Sequence, residues 1–153
     1  FYSLFELTGV RHRFSGESPE FFQDLIRDLS SAGMARIYLS RYRGVVTSAA
    51  IVIFYGQTAT YLYGGSLPFF PQAMSSYDLH WTAMRDARAA GCRSYDFYGI
   101  APDNQPFHPY AKFTEFKKKF GGRPVNHAGA QDIIFYEQFA DLWLKQMEKV
   151  AIN

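Results

Sequence analysis

Ala35-Arg-Ile-Tyr-Leu-Ser-Arg-Tyr-Arg-Gly-Val-Val-Thr-Ser-Ala-Ala-Ile-Val-Ile-Phe-Tyr-Gly-Gln-Thr-Ala-Thr-Tyr-Leu-Tyr-Gly-Gly65 decides the fold. Residues 35–42 alternate, Arg43-Gly44 breaks them, and residues 45–55 form a strongly apolar run. Gly56-Gln57 breaks the chain again, and residues 59–63 alternate into Gly64-Gly65. β-branched and aromatic runs parted by turn dipeptides predict three antiparallel strands.

Helical patterns flank this meander. On the N-terminal side, Leu4, Phe5 and Leu7 suggest a short helix within residues 1–12. Ser18-Pro19-Glu20 then supplies a hydroxyl cap, a first-turn proline and an acid at the positive end of a helix dipole. Phe22, Leu25, Ile26 and Leu29 follow at i, i+3, i+4 and i+7, and Gly33 stops the helix. On the C-terminal side, residues 72–90 predict a long helix with Met74, Tyr77, Trp81, Met84 and Ala87 on one face, ended by Gly91. A short strand at 94–98, a proline-rich loop at 101–109 and a helix at about 110–119 come next. Strand pieces near 124–135 and an amphipathic helix over 137–149 close the pattern. The reading is one α/β domain over 1–153, a mixed sheet with helices on both sides. This order resembles the acyl-CoA N-acyltransferase (GNAT) fold.

Composition narrows the function. Of the 153 residues, 48% are hydrophobic and 20% charged, which excludes a disordered chain. A net charge of +2 is too small for a general nucleic-acid binder, so any basic surface is local. The single cysteine, Cys92, forms no intrachain disulfide and fits a reducing compartment. No apolar run has the length of a membrane span. His12, His80, His108 and His127 are scattered without ligand spacing, so no metal is expected and each reads as a surface or singly bonded histidine. Neither a nucleophile elbow nor a Walker or Rossmann glycine pattern occurs.

Two segments carry candidate chemistry. Gly64-Gly65 lies between a strand and a helix, where glycines let backbone approach a ligand closely. The GNAT fold commonly follows this junction with a glycine-rich cradle for the CoA pyrophosphate. Here Ser66-Leu-Pro-Phe-Phe-Pro-Gln-Ala-Met74 has no such glycines and two prolines that supply no donors. CoA is therefore the alternative donor rather than the first choice. The second segment is Tyr110-Ala-Lys-Phe-Thr-Glu-Phe-Lys-Lys-Lys-Phe-Gly-Gly122. Successive helical residues diverge by about 100°, so Lys117, Lys118 and Lys119 cannot share a face. One lysine directed along the apolar side, toward a cleft, would suit an oxyanion or a phosphate, and the aromatics would suit a base; a plain solvated face is the competing reading. Asp96 reads equally as a structural tie or a catalytic acid. Tyr61 and Tyr63 alternate on one sheet face, where tyrosines more often belong to a core than to a ligand site.

Tyr61-Leu-Tyr-Gly-Gly-Ser66, a following helix with Trp81, Gly91-Cys-Arg-Ser-Tyr-Asp-Phe-Tyr-Gly-Ile100 and Phe113-Thr-Glu-Phe-Lys-Lys-Lys-Phe-Gly-Gly122 together resemble the Fem-type (FemABX) aminoacyltransferases, which build peptidoglycan cross-bridges. The resemblance covers essentially the whole chain and matches the second GNAT-like domain of that family. It implies an aminoacyl-tRNA donor, no cofactor, and an acceptor amine on lipid II or UDP-MurNAc-pentapeptide. It further implies that Lys117 stabilises the tetrahedral oxyanion, that Phe116 stacks near the terminal adenosine and that Lys118 and Lys119 meet tRNA phosphates. Tyr63, Gly64, Gly65, Asp96 and Tyr98 complete the substrate-binding set. Family enzymes pair two such domains and lack a clearly assigned general base. The chain opens on Phe1, so the expectation is a fragment or single-domain relative whose partner is an N-terminal GNAT-like domain. The expected location is the cytoplasm, with peripheral contact at the inner membrane face. Two other classes stay open: an acyl-CoA N-acyltransferase, and a non-catalytic docking or RNA-binding domain.

Overall fold

The computed structural model describes residues 1–129. Phe1–Gly121 forms a compact unit, and a second begins at Gly122, of which residues 122–129 contain no helix or strand. The strand pieces expected near 124–135 are absent from 124–129 and otherwise lie outside the described residues, as does the helix over 137–149.

The first unit contains a four-stranded sheet in the order β1-β2-β3-β4. β1 (Ala35–Tyr42), β2 (Val45–Tyr55) and β3 (Thr58–Ser66) run antiparallel, as the meander predicts. Arg43 and Gly44, with φ of 50° and 82°, make the tight left-handed turn that a two-residue hairpin needs. β4 (Ser94–Asp96) lies parallel to β3, joined to it through the helix α3 (Ser75–Ala89). A parallel neighbour demands such a crossover.

Ile51 and Val52, both fully buried, divide the core between the sheet faces. Ile51 packs with Phe5 of α1 (Tyr2–His12) and Phe22 of α2 (Pro19–Ser30). Val52 packs with Phe54, Ala59, Ala83 and Ala87, the last two on α3. Ser18 caps α2 by accepting from the Phe21 amide at 3.3 Å, as its sequence predicts. No described helix is long and apolar enough to cross a membrane.

Three expectations need correction. α3 starts at Ser75, preceded by a 3-10 turn at Pro71–Ala73, and it buries Leu79, His80, Ala83 and Ala87. Trp81 is exposed instead, because the helix approaches the sheet through the two alanines on another face, and Met74 is exposed at the left-handed cap before the helix. β4 ends at Asp96 rather than 98, since Tyr98 takes a left-handed φ of 63°. Finally, Tyr61 and Tyr63 occupy opposite faces. Ile51 pairs with Tyr63 but Val52 with Tyr61, so Leu62 is the extra residue of a β-bulge. Tyr63 packs against Phe22 at 4.9 Å on the α1/α2 side, while Tyr61 meets His80 of α3 at 4.5 Å.

Candidate active site

Beyond the pair Thr60–Asp96, β3 and β4 no longer pair, although β3 continues to Ser66 along β2. The space opened there is a cavity of about 200 Å³. Its walls are Ser48–Ala50 of β2, Tyr61 and Gly64–Ser66 of β3, the last turn of α1, the first turns of α3, and α4 (Ala111–Lys118).

Small residues make this concavity. A side chain on Gly65 would overlap the Leu4 carbonyl of α1, and one on Gly64 would meet the Tyr61 hydroxyl. The end of β3 is latched to α1: Thr8 Oγ1 accepts from the Ser66 amide at 3.0 Å and Arg11 donates to the Ser66 carbonyl at 2.9 Å. On α4, Thr114 Oγ1 accepts from the Ala101 amide at 2.7 Å and donates to the Tyr110 carbonyl at 2.9 Å, which pins the 97–110 loop to the helix.

Lys117 is the cation at the centre. Its Nζ donates to the Gly99 carbonyl at 2.6 Å and sits 5.9 Å from the Tyr61 ring centroid. Burial lowers its pKa to about 8, partly offset by the charge of Asp96, so it is mostly protonated at neutral pH. Burial also pushes Tyr61 up to about 12, keeping its phenol protonated. Arg11 and Lys112 line the same cavity, and no carboxylate does so among the described residues. The cavity thus presents positive charge to an anionic or polarised ligand.

His80 forms part of the floor. It is 2% exposed, with Nδ1 2.9 Å from the Tyr95 hydroxyl. Burial, then the Lys117 charge, lowers its pKa to about 4, so it is neutral at pH 7.

Of the site residues expected from sequence, Lys117, Phe116, Gly64 and Gly65 line the cavity. Phe116 is wedged among Tyr77, His80 and Phe120, with centroids 5.1–5.7 Å away. Lys118 and Lys119 point away and are exposed, Lys118 lying 3.5 Å from Asp103. Tyr63 belongs to the opposite core. Asp96 is exposed and accepts from the Tyr98 amide at 2.7 Å, the tie that supports the left-handed Tyr98. Tyr98 itself is exposed outside the cavity. Arg11, Lys112, Tyr61 and His80 went unassigned in the sequence reading. The one available signal was His80, a polar residue set between Leu79 and Trp81 in the predicted helix. No cluster of three or more metal-ligating side chains exists among the described residues.

The family model described as "Acetyltransferase (GNAT) domain" matches residues 1–117. The chain belongs to this family. The GNAT domain is homologous to the lipid II:glycine glycyltransferase of Staphylococcus aureus, 28% identical over 120 residues. The enzyme of strain USA300 is 30% identical over the same length. In each case the match takes 78% of this chain but only 27% of the relative, so the chain spans about a quarter of the proteins it matches. The solved structure "Crystal structure of FemX" superposes with a TM-score of 0.70 at 19% identity, over 78% of this chain and 46% of that one. An aminoglycoside N-acetyltransferase, AAC(6')-Iy, solved with a CoA bisubstrate analogue, gives a TM-score of 0.53 at 15% identity, over 85% and 91%. The Fem-type resemblance and the GNAT fold read from the sequence are both borne out.

Proposed function

We propose that this GNAT domain catalyses transfer of an amino acid from aminoacyl-tRNA to a stem-peptide amine of a peptidoglycan precursor, lipid II or its UDP-linked form. The observation that carries the reading is Lys117, protonated and half-buried at the cavity wall, with Gly64-Gly65 opposite. In aminoacyl transfer the amine nitrogen attacks the ester carbonyl. The C–N bond forms while the carbonyl π pair moves onto oxygen. An ammonium group already desolvated there stabilises that charge without reorganising. Collapse of the intermediate then breaks the ester C–O bond and releases the ribose hydroxyl.

The homology to a lipid II glycyltransferase supports the acceptor class. Arg11 and Lys112, with no opposing acid in the cavity wall, suit a phosphate-bearing donor. Amide usage limits the donors a CoA pyrophosphate would meet, with those of Phe69 and Phe70 left without a partner among the described residues. Between β3 and α3 the amides of Ser66, Leu67, Ala73 and Met74 are already donated within the protein, and Pro68 and Pro71 have none. A lipid-linked acceptor would place the reaction at the cytoplasmic face of the membrane.

Titration calorimetry with an acceptor-stem aminoacyl-RNA mimic and with acetyl-CoA tests the reading. The expected result is binding of the RNA mimic and not of acetyl-CoA. Lys117→Ala should lower transfer about 10²–10³-fold, the usual cost of one oxyanion donor. Binding of acetyl-CoA alone, or full transfer by Lys117→Ala, would overturn it.

A further inference from the structure

We infer that His80 is the proton acceptor of the transfer reaction, taking a proton from the attacking amine at Nε2 while Tyr95 holds the ring from Nδ1. This rests on the aminoacyl-transfer reading of the same cavity.

The geometry argues for a ring that is fixed and open on one edge only. Tyr61 meets the imidazole at right angles at 4.5 Å, and Phe97, Phe116 and Phe120 enclose it at 5.0–5.7 Å. Nδ1 is committed to the Tyr95 hydroxyl. No fully enclosed side-chain nitrogen or oxygen lacks a partner among the described residues, and His80 is part of the cavity wall. Nε2, which has no partner among the described residues, therefore faces the cavity. In the tautomer whose Nδ1–H donates to the Tyr95 oxygen, which the inference requires, Nε2 presents its lone pair to whatever occupies the site. Tyr95, whose own pKa burial raises, keeps its phenolic proton.

Three elements set the charge around the ring. Lys117 from α4 is the charged group that acts on it. Tyr61 from β3 and Tyr95 from β4 are its titratable neighbours and stay neutral, and the remaining contacts are phenylalanines. Lys117 and burial hold the free imidazole in its basic form. An oxyanion on Lys117 cancels part of that positive charge, so the imidazole becomes more basic as the amine nitrogen turns positive. The two groups then act in sequence. A free amine adds to the ester carbonyl, its N–H proton passes to His80 Nε2, and oxygen carries the charge beside Lys117. When the ester C–O bond breaks, the same proton goes to the leaving ribose oxygen and His80 is neutral again. No other reactant is consumed.

The test uses the full chain with His80 followed by NMR through its imidazole Cε1–H, with a phosphonate analogue of the aminoacyl ester on an acceptor-stem RNA as oxyanion mimic. The His80 titration should move upward in Lys117→Ala and also when the wild type binds the phosphonate. In turnover, His80→Gln should cut transfer about 10²–10⁴-fold, the range of a lost acid–base group. Affinity for the RNA mimic should stay within about twofold of the wild type. In His80→Gly, added imidazole should restore part of the rate, which a purely structural histidine would not allow. Tyr95→Phe should lower kcat and leave KM unchanged. Phosphonate binding without movement of the His80 titration, or wild-type turnover by His80→Gln, would overturn the inference and leave the aminoacyl-transfer reading standing. Failure of the wild-type chain to bind the RNA mimic would remove both.

Discussion

The contact between Gly65 and α1 gives a sharp test of how the site is built. Alanine at position 65 would place a methyl carbon 2.5 Å from the Phe5 nitrogen and nearer still to the Leu4 carbonyl. Ordinary carbon contacts are about 3.5–4.0 Å, so α1 would have to retreat by roughly 1 Å. The obstacle is helix backbone, which has no rotamer to escape into. Overpacking of this kind costs about 1–3 kcal/mol. Retreat of α1 also strains the 3.0 Å bond from the Ser66 amide to Thr8, worth about 1 kcal/mol. The sum is about 3 kcal/mol, or about 6–12 °C in Tm for a chain of this size. Gly64→Ala meets the outer edge of the Tyr61 side chain, its hydroxyl and the adjoining ring carbons, rather than backbone. There the ring swings toward Lys117 and His80, costing about 1 kcal/mol of stability but displacing the cavity wall. Thermal unfolding by circular dichroism, beside RNA-mimic binding, separates the two. Gly65→Ala should lose stability most and Gly64→Ala affinity most. A Gly65→Ala protein melting within about 2 °C of wild type would refute the close approach of α1 to β3.

Three further outcomes follow from the same contacts. With Lys117 as the proposed ammonium donor and its pKa lowered to about 8, transfer should decline as pH rises through 8; a rate flat to pH 10 would exclude it as the charged donor. Burial lowers the His80 pKa to about 4 in the folded chain from the ordinary 6.5, so the unfolded chain binds more protons between these values and stability falls on acidification. The loss should reach about 2 kcal/mol by pH 5, read as a pH-dependent urea midpoint that His80→Gln flattens. Thr114→Val keeps shape but strands the buried Ala101 amide, and should cost about 1–3 kcal/mol in urea unfolding while loosening the loop that offers the Gly99 carbonyl to Lys117.

Local rules carried most of the element boundaries. Ser18-Pro19, Arg43-Gly44 and Gly56 sit where the helix cap and the two turns form, because each acts through backbone geometry within a few residues. The face of α3 was harder to read. Sequence favours its largest apolar side chains as the buried ones, yet the helix approaches the sheet through Ala83 and Ala87, leaving Trp81 61% exposed. Closeness of approach is a tertiary property, and no single-helix pattern contains it.

The site shows the same limit more acutely. That adjacent lysines diverge around a helix separates Lys117 from Lys118 and Lys119, since the geometry is local. The opposite placement of Tyr61 and Tyr63 depends instead on Leu62 being looped out against β2, while Tyr-Leu-Tyr in sequence reads as unbroken alternation. That single extra residue has consequences along the rest of β3. It sends Tyr61 toward His80 and Lys117, puts Gly64 beneath the Tyr61 ring, and leaves Gly65 against α1. Without the bulge, Tyr61 would share a face with Tyr63, among Phe5 and Phe22, and the cavity would lose the ring that packs on His80. The fold and the chemistry therefore meet at Leu62, a residue with no reactive group, whose effect is to decide which face of the sheet receives Tyr61.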